Sequence, residues 1–556
     1  MFADDRFRGY QPASLRKDFI SGITVGIVAI PLGMAFAMAS GVKPEYGIYT
    51  TIIAGFIVSL LGGSRFQIAG PTGAFIPILL AIVLQYGYED LLIAGLMAGV
   101  LLVLMSFFKL GNLVHFIPRS VTIGFTTGIA VIIFSGQLGN FFGLQLDSHE
   151  YFHQNMIEFV SGLGDFNGYS VLTAAMGLLV ILLVPRFFPR VPVLLVGLVI
   201  PTICATLLFP EQVETVGTAY GGIPQSLPEF QFPNITWEKI VTLFTPALII
   251  AALGAIESLL SAVVADGMTG DRHRSNRELF GQGVANIAAP LFGGIPATGA
   301  IARTATNIKS GAVSPLSGMI HSVFVLLTLL LFAPYASYIP LAAMAPLLMQ
   351  VAWNMSGLQS FKQILQLRTG DSIVLSVTFL LTVFVNLTVA VQVGLLLAIL
   401  SFVKKKSEQL QIVDRDVQRQ ETLDLTAHFQ IKRFTIRGPL FFGTAQSFEH
   451  SLMASIQRMP RVILLDMQHI TMIDATGEDK LSIIIDNIKK AGSTVLVSGL
   501  PDWGVDLFKK SGLYQKIGAS SFFPDEAAAR ESFFRKHEIK VSGEGELLIR
   551  KQETAE

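Results

Sequence analysis

Hydrophobic residues in this chain come in long blocks that recur from Phe19 to Phe402 between short polar connectors. Such runs predict helices that span a bilayer, because a hydrocarbon core about 30 Å thick needs ~20 apolar helical residues. The expected spans of the first half are Phe19–Ala39, Gly47–Leu61, Gly73–Tyr86, Leu91–Phe108, Val121–Leu138, Val171–Val184 and Val193–Leu208. Those of the second half are Phe244–Val264, Leu279–Leu291, Gly299–Ile308, Ser314–Phe332, Ala336–Val351, Ser372–Asn386 and Val389–Val403.

The third and tenth of these segments are short, and each follows a break. The run from Gly62 to Phe75 reads GGSRFQIAGPTGAF and the run from Gly293 to Thr304 reads GGIPATGAIART. Both open on Gly-Gly, pass a proline and reach Thr-Gly-Ala. Equal rank in two halves with an odd number of spans each makes the halves inverted repeats. The expected fold is thus an α-helical polytopic membrane protein of about fourteen transmembrane segments in a seven-plus-seven inverted repeat. Non-helical backbone at membrane depth survives only where it is buried or lines a cavity. The matched breaks therefore mark the expected transport site, with packing glycines as the alternative.

Composition agrees with a membrane protein: 51% of the 556 residues are hydrophobic and 14% charged, with a mean hydropathy of +0.58. Net charge is zero, which gives no reason to expect nucleic acid as a partner. One cysteine, Cys204, allows neither an intrachain disulfide nor a thiolate metal cluster. No Walker motif, zinc spacing or nucleophile elbow is present, so no enzymatic activity, cofactor or metal is expected. The connectors 139–170 and 210–238 hold acids but no Lys or Arg, whereas Arg272, Arg274, Arg277, Lys309 and Lys404-Lys405-Lys406 fall on the other side of the count. The positive-inside rule then puts both termini in the cytoplasm. The expected location is the inner, cytoplasmic membrane, with the lipid bilayer as a partner.

Four sets of residues carry candidate chemistry. Glu257 lies deep in an apolar span, where a carboxylate costs about 2.5–3.5 kcal/mol on insertion scales and is a functional candidate by default; Ser261 follows one turn later. A structural ion pair with Arg303 is the alternative for Glu257, and the two readings are compatible. Arg303 offers a planar fork for an oxyanion, unless it only reaches the cytoplasmic surface. Gly73 and Gly299 would begin two half-helices, whose N-termini carry unpaired N–H groups and about half a positive charge each. Thr72 and Thr298 are placed to cap them. Glu45 is expected at the outer mouth between the first two spans, as a loop acid or a proton carrier. The stretch from Asp266 to Arg274 has poor spacing for a metal and reads as a connector.

After Lys406 the chain turns polar. Residues 1–406 form the expected transport domain, 407–426 a linker, 427–540 a soluble α/β domain and 541–556 a charged tail. Strands are expected at Phe429–Ile436, Val462–Asp466 and Thr494–Ser498, with helices at Phe448–Met459, Thr476–Ala491 and Trp503–Ser511.

Ala69-Gly70-Pro71-Thr72-Gly73, Gly294-Ile295-Pro296-Ala297-Thr298-Gly299-Ala300 and Glu257-Ser258-Leu259-Leu260 together resemble the SulP anion transporters, relatives of solute carrier family twenty-six. The soluble part resembles a STAS domain, with its signature at Asp474, Thr476 and Gly477. The resemblance implies a core and a gate, usually in a homodimer, and a small inorganic or organic anion bound at Phe36, Thr72, Gly73, Ala74, Gly299, Ala300, Ile301 and Arg303. It implies ion coupling through Glu257, Ser261 or Glu45, and a STAS domain open to a cytoplasmic partner or to phosphorylation at Thr476. Sodium-driven bicarbonate members carry Asp at the position of Glu257 and a hydroxyl residue at that of Ile301, which argues against sodium. The resemblance is closest to dicarboxylate-importing bacterial members, so uptake of a four-carbon dicarboxylate, sulfate or bicarbonate with a coupling proton leads. An exchanger, a channel, a sodium-coupled bicarbonate carrier and a membrane anchor for a STAS partner remain as alternatives.

Overall fold

The computed structural model describes residues 4–7, 10–112, 118–147, 149, 151–188, 191–414, 431–455, 462–536, 540–541 and 547–548. The expected strand start at Phe429, the helix end at Met459 and most of the tail 541–556 lie outside them. The chain divides into two compact units, residues 1–398 and 399–556.

The first unit contains α1 (Pro12–Ala39), α2 (Pro44–Leu61), β1 (Ala69–Gly70), α3 (Ile76–Tyr86), α4 (Tyr88–Phe107), α5 (Arg119–Gly136), α6 (Gly168–Phe187) and α7 (Val193–Leu208). It continues with α8 (Trp237–Thr269), α9 (Ser275–Leu291), β2 (Thr298–Gly299), α10 (Ile301–Lys309), α11 (Leu316–Ala336), α12 (Leu341–Met355), α13 (Gly370–Phe384) and the start of α14 (Leu387–Ser407). Among the described residues, eight helices are long and apolar enough to cross a membrane; α3, α7 and α13 are apolar but shorter.

Each expected apolar stretch holds a helix, but the ends move. α1 begins at Pro12 rather than Phe19, and α9 at Ser275 rather than Leu279. α8 runs about three turns beyond the apolar block that revealed it, counting both ends. These added turns are polar yet helical, so hydrophobicity does not signal them. Pro12 and Pro44 preset the first turns of α1 and α2 without wasting a donor. α12 starts at Leu341, not Ala336, because Pro340 holds the residue before it out of the helical region.

The helices sort into two bundles. α1, α2, α4, α8, α9, α10 and α11 pack on one another, and α5, α6, α7, α12 and α13 form the second group. α4 and α9 touch backbone to backbone: a Cβ on Gly283 would sit 2.8 Å from both Gly99 O and Val103 N. Small residues permit this approach where lipid offers no hydrophobic drive for association. At one end of the first bundle, Arg6 donates to Ser59 O (3.0 Å) and Leu60 O (2.6 Å), and Arg277 to Leu61 O (3.2 Å). These bonds satisfy the last carbonyls of α2, which its own ladder cannot. Asp4 bridges the two arginines. Burial pushes its carboxyl up, but the hydrogen bonds from Arg277 and Arg6 outweigh burial and hold it well below the usual carboxylate range.

The second unit is a five-stranded sheet in the order β3-β4-β5-β6-β7. β3 (Gln411–Asp414) runs antiparallel to β4 (Ile431–Leu440); β5 (Val462–Ile473), β6 (Thr494–Ser498) and β7 (Phe522–Phe523) continue in parallel. Its helices include α15 (Ala445–Ser455), α16 (Ala475–Lys490) and α17 (Asp502–Ser511). Phe434, Leu465, Ile484 and Phe508 lie in its core. Part of the stretch read as a linker is therefore structured, as β3. An edge strand with only Ile412 and Val413 as apolar residues gives too short a signal to stand out in a polar run.

Two outcomes follow from this packing. Gly283→Val should overpack the α4–α9 contact by about 1–3 kcal/mol, seen as a lower unfolding midpoint of the full-length protein in detergent. A midpoint equal to that of the parent would remove the close approach. In the second unit, Asp474→Ala should cost about 0.5–2 kcal/mol through loss of an N-cap, measured by urea unfolding of a fragment starting at Glu408. An unchanged midpoint would mean that the cap contributes nothing.

Candidate functional site

The two broken stretches meet. β1 and β2 pair antiparallel, Ala69 opposite Gly299 and Gly70 opposite Thr298. The chain therefore passes through the ribbon in opposite senses in the two halves, as inverted repeats require. From β1 the chain continues through Pro71 and Thr72 into a short 3-10 turn, Gly73–Phe75, and then α3. From β2 it passes Ala300 into α10. Helical backbone restarts three residues after β1, in the turn at Gly73, and two residues after β2, at Ile301, which brings two sets of unpaired N–H groups into one region. Gly299 does not begin a helix; it is a strand residue, and α10 starts at Ile301.

One face of α8 holds the ribbon. Gly254, Glu257, Ser258 and Ser261 recur at helical spacing. Thr298 Oγ1 donates to Gly254 O (3.1 Å) and lies 2.8 Å from Ser258 Oγ. Gly299 N donates to Ser258 Oγ (3.1 Å), and Gln67 Nε2 to Ser258 O (3.1 Å). Ser261 Oγ donates to Thr304 Oγ1 (3.2 Å), which also accepts from Ile68 N (3.1 Å). Thr72 Oγ1 donates to Glu257 Oε2 (2.9 Å). The two threonines thus do not cap helices as expected. Their hydroxyls donate sideways to α8, to the Glu257 carboxyl and the Gly254 carbonyl, and accept no hydrogen bond from a helix N–H.

Arg303 is 2% exposed, which rules out a surface role. Its Nη2 donates to the Pro71 carbonyl, while Nη1 has no protein partner among the described residues. Glu257, itself 8% exposed, forms no ion pair with it. The structural pair weighed as the alternative is absent: Thr72 holds the carboxylate and Pro71 the guanidinium. Arg303 therefore keeps its full charge beside the ribbon, with a neutral carbonyl as its partner.

The remaining candidates fall around this centre. Phe36 of α1 is buried, and its ring would lie 3.6 Å from a Cβ at Gly73. Ala74 and Ala300 are buried, whereas Ile301 is 42% exposed. Glu45 is not a loop acid: Pro44 starts α2 one residue earlier, so Glu45 lies in its first turn, buried, with Oε2 unpartnered among the described residues. Nearby, Tyr46 and Tyr88 stack at 4.2 Å and the Tyr88 hydroxyl donates to Gly293 O (2.7 Å). In the second unit, Asp474 caps α16 by accepting from Gly477 N (2.8 Å) and ties in Phe442 N (2.9 Å). Thr476 is exposed and Gly477 buried.

Several contributors escaped the sequence reading. Asn286 accepts from Ala297 N (2.8 Å) and donates to Ala297 O (2.8 Å), and Thr50 does the same for Ile295 at 2.7 and 3.0 Å. Ser258, Thr304 and Gln67 belong with them. Their common signal was a polar residue inside a span that carries a Gly/Pro break or faces one.

Residues 15–378 match the Sulfate permease family and residues 422–529 the STAS domain. The chain is 52% identical to the "Putative sulfate transporter YvdB" of Bacillus subtilis (strain 168), over 93% of this chain and 98% of that protein. It is 30% identical to "Bicarbonate transporter BicA" of a Picosynechococcus species, over 91% and 92% of the two chains. The structure of the murine Solute Carrier 26 family member A9 anion transporter in the inward-facing state superposes with a TM-score of 0.83 at 19% identity, covering 95% of this chain and 93% of that one, which shows a shared fold. With both parts matched, this chain belongs to the sulfate permease family of membrane anion transporters and carries a carboxyl-terminal STAS domain.

Proposed function

We propose that this protein is a secondary active transporter that moves a small oxyanion together with a proton, with the anion bound where the two half-helices leave the β1–β2 ribbon. The observation that carries this reading is the uncancelled charge of Arg303 beside two helix starts. Had a carboxylate paired with Arg303, the site would be neutral and an anion would gain little from it. The relatives' names favour sulfate or bicarbonate as cargo. Four-carbon dicarboxylates remain in the panel, since Phe36 and Ile301 would give their methylene carbons an apolar wall.

Glu257 is the proposed proton carrier. A hydroxyl can donate to a carboxylate or accept from a carboxylic acid, so the Thr72–Glu257 bond survives either protonation state. Ile301 supplies no oxygen to a hard cation, which leaves sodium the weaker coupling ion despite the bicarbonate relative. Glu45, also buried and incompletely bonded, is the alternative carrier. The reading includes both termini in the cytoplasm, a homodimer, and a STAS domain that binds a cytoplasmic partner.

Proteoliposomes offered sulfate, bicarbonate, succinate and fumarate should accumulate one of them when the outside is acidified, equally well in sodium and in potassium. Glu257→Gln should bind that anion within about threefold of the parent affinity yet lose at least tenfold in proton-driven accumulation. Strict sodium dependence, or a Glu257→Gln variant that still concentrates the anion, refutes proton coupling through this residue; flux that never exceeds equilibrium points to a channel. For topology, Cys204→Ala variants carrying Ser161→Cys or Glu408→Cys should react with an impermeant maleimide in intact cells only at position 161. Labelling at 408 would invert the arrangement.

A further inference from the structure

A groove of about 330 Å³ runs between α1, α7 and α11, and no residue of the ribbon lines it. Met34 of α1 and Leu198 of α7 are buried at its floor; Ile203 of α7 and Phe332 of α11 are exposed at its rim. Three hydroxyl residues line it; two are satisfied within their own helices, and the third, Tyr335 of α11, is exposed. Thr202 donates to Leu198 O (2.7 Å) and Thr328 to Phe324 O (2.9 Å). Apart from the Tyr335 hydroxyl, the lining side chains thus offer no free donor to a polar ligand. Pro31 also lines the groove, and with no N–H it leaves a break in the α1 ladder there. α1 and α11 meet the length and composition of membrane spans, and α7 is apolar along its length. The rim therefore faces hydrocarbon rather than water.

We propose that this groove binds one acyl chain of a bilayer phospholipid. An open apolar cleft facing the membrane interior cannot stay empty without losing dispersion contacts along its lining, and its few polar groups, the Tyr335 hydroxyl and the ladder break at Pro31, fall short of the two to four partners an ordered water needs. Lipid tails surround the rim at high concentration, and hydrocarbon matches a wall of Ile, Leu, Met, Val and Phe. The position gives the chain a consequence. α1 and α11 belong to the bundle that carries the ribbon, and α7 to the other. An acyl chain held between them touches both bundles, so its bulk sets how readily they slide past each other. Resting on the transport reading, this predicts that the chain changes turnover and leaves the anion KM alone.

The test uses full-length protein reconstituted in dioleoylphosphatidylcholine vesicles, re-extracted in mild detergent and examined by native mass spectrometry. The wild type should retain one phospholipid per chain. Ala333→Phe, which places a ring into the groove from a buried position on α11, should retain at least fivefold less. Leu207→Trp, an exposed site on α7 outside the groove, should retain it as the wild type does. In vesicles of diphytanoylphosphatidylcholine, whose branched chains fit a narrow cleft poorly, wild-type turnover should fall about fivefold at unchanged KM, while Ala333→Phe should be indifferent to the change. A wild type that retains no lipid overturns the site, as does an Ala333→Phe variant that folds and retains it fully. A spin label at Ile203 that reports a second label close by would place another copy of the chain on the groove instead, and also overturns it. Lipid retention is read without any transport, so failure of the transport reading leaves this arm intact; lipid retained with turnover insensitive to the chain type overturns only the effect on rate.

Discussion

A helix broken inside a membrane exposes backbone donors and acceptors that water cannot satisfy, and each left unpaired costs several kcal/mol. The rest of the transport unit is arranged around that constraint. The two breaks solve it partly by pairing with each other as β1 and β2, which closes the ribbon's central bonds. What remains at the edges goes to side chains: Ser258 and Thr304 take the donors of Gly299 and Ile68, and Asn286 and Thr50 take both groups of Ala297 and Ile295. Hydroxyl and amide groups in α2, α8, α9 and α10 thus do what a continuous helix would have done with its own carbonyls. The unpaired N–H groups at the starts of the two half-helices are left over, and the proposed anion site draws on them.

The same economy explains the charges. An arginine buried without an acid is expensive unless its N–H groups find acceptors, and a carbonyl supplies one without cancelling the charge. Arg303 takes the Pro71 carbonyl, which lies ahead of the turn Gly73–Phe75. Glu257, one helix away, takes a hydroxyl. Two ionisable groups share a small region without neutralising each other. A functional site requires this separation; a structural ion pair would have removed it.

How much of this was readable in advance follows from what leaves a one-dimensional trace. Apolar blocks announce helices, and Gly-Gly, Pro and Thr-Gly-Ala announce breaks, so the spans and the two special stretches were legible. The polar ends of α1, α8 and α9 were not, since they are helical through connection to a buried segment rather than through their own hydrophobicity. The destination of a hydroxyl was not legible either. Thr72 and Thr298 stand where caps belong by sequence, and only the approach of α8 decides against that role. Likewise the acid Glu257 and the base Arg303 suggested a pair by sign, while the structure gives each a neutral partner. Ile412 and Val413 are too few to reveal β3, whose pairing depends on β4 being within reach.

The position of the site between bundles completes the argument. Gly73, at the start of the first half-helix, belongs by sequence and packing to the ribbon. Yet a Cβ added there would lie 2.9 Å from Met355 Sδ of α12 and 3.2 Å from Ile133 Cδ1 of α5, both from the other bundle. The residue that opens one helix N-terminus is therefore also the point where the second bundle presses against the first. Close-packed side chains transmit small displacements rather than absorb them. Any sliding of α5 and α12 must alter the environment of Gly73, and through Thr72, one residue away, the hydrogen bond to Glu257. Under the proposed function, anion contact, carboxyl environment and bundle position would be coupled at a single turn of chain, which would give a carrier the physical means to tie binding to motion.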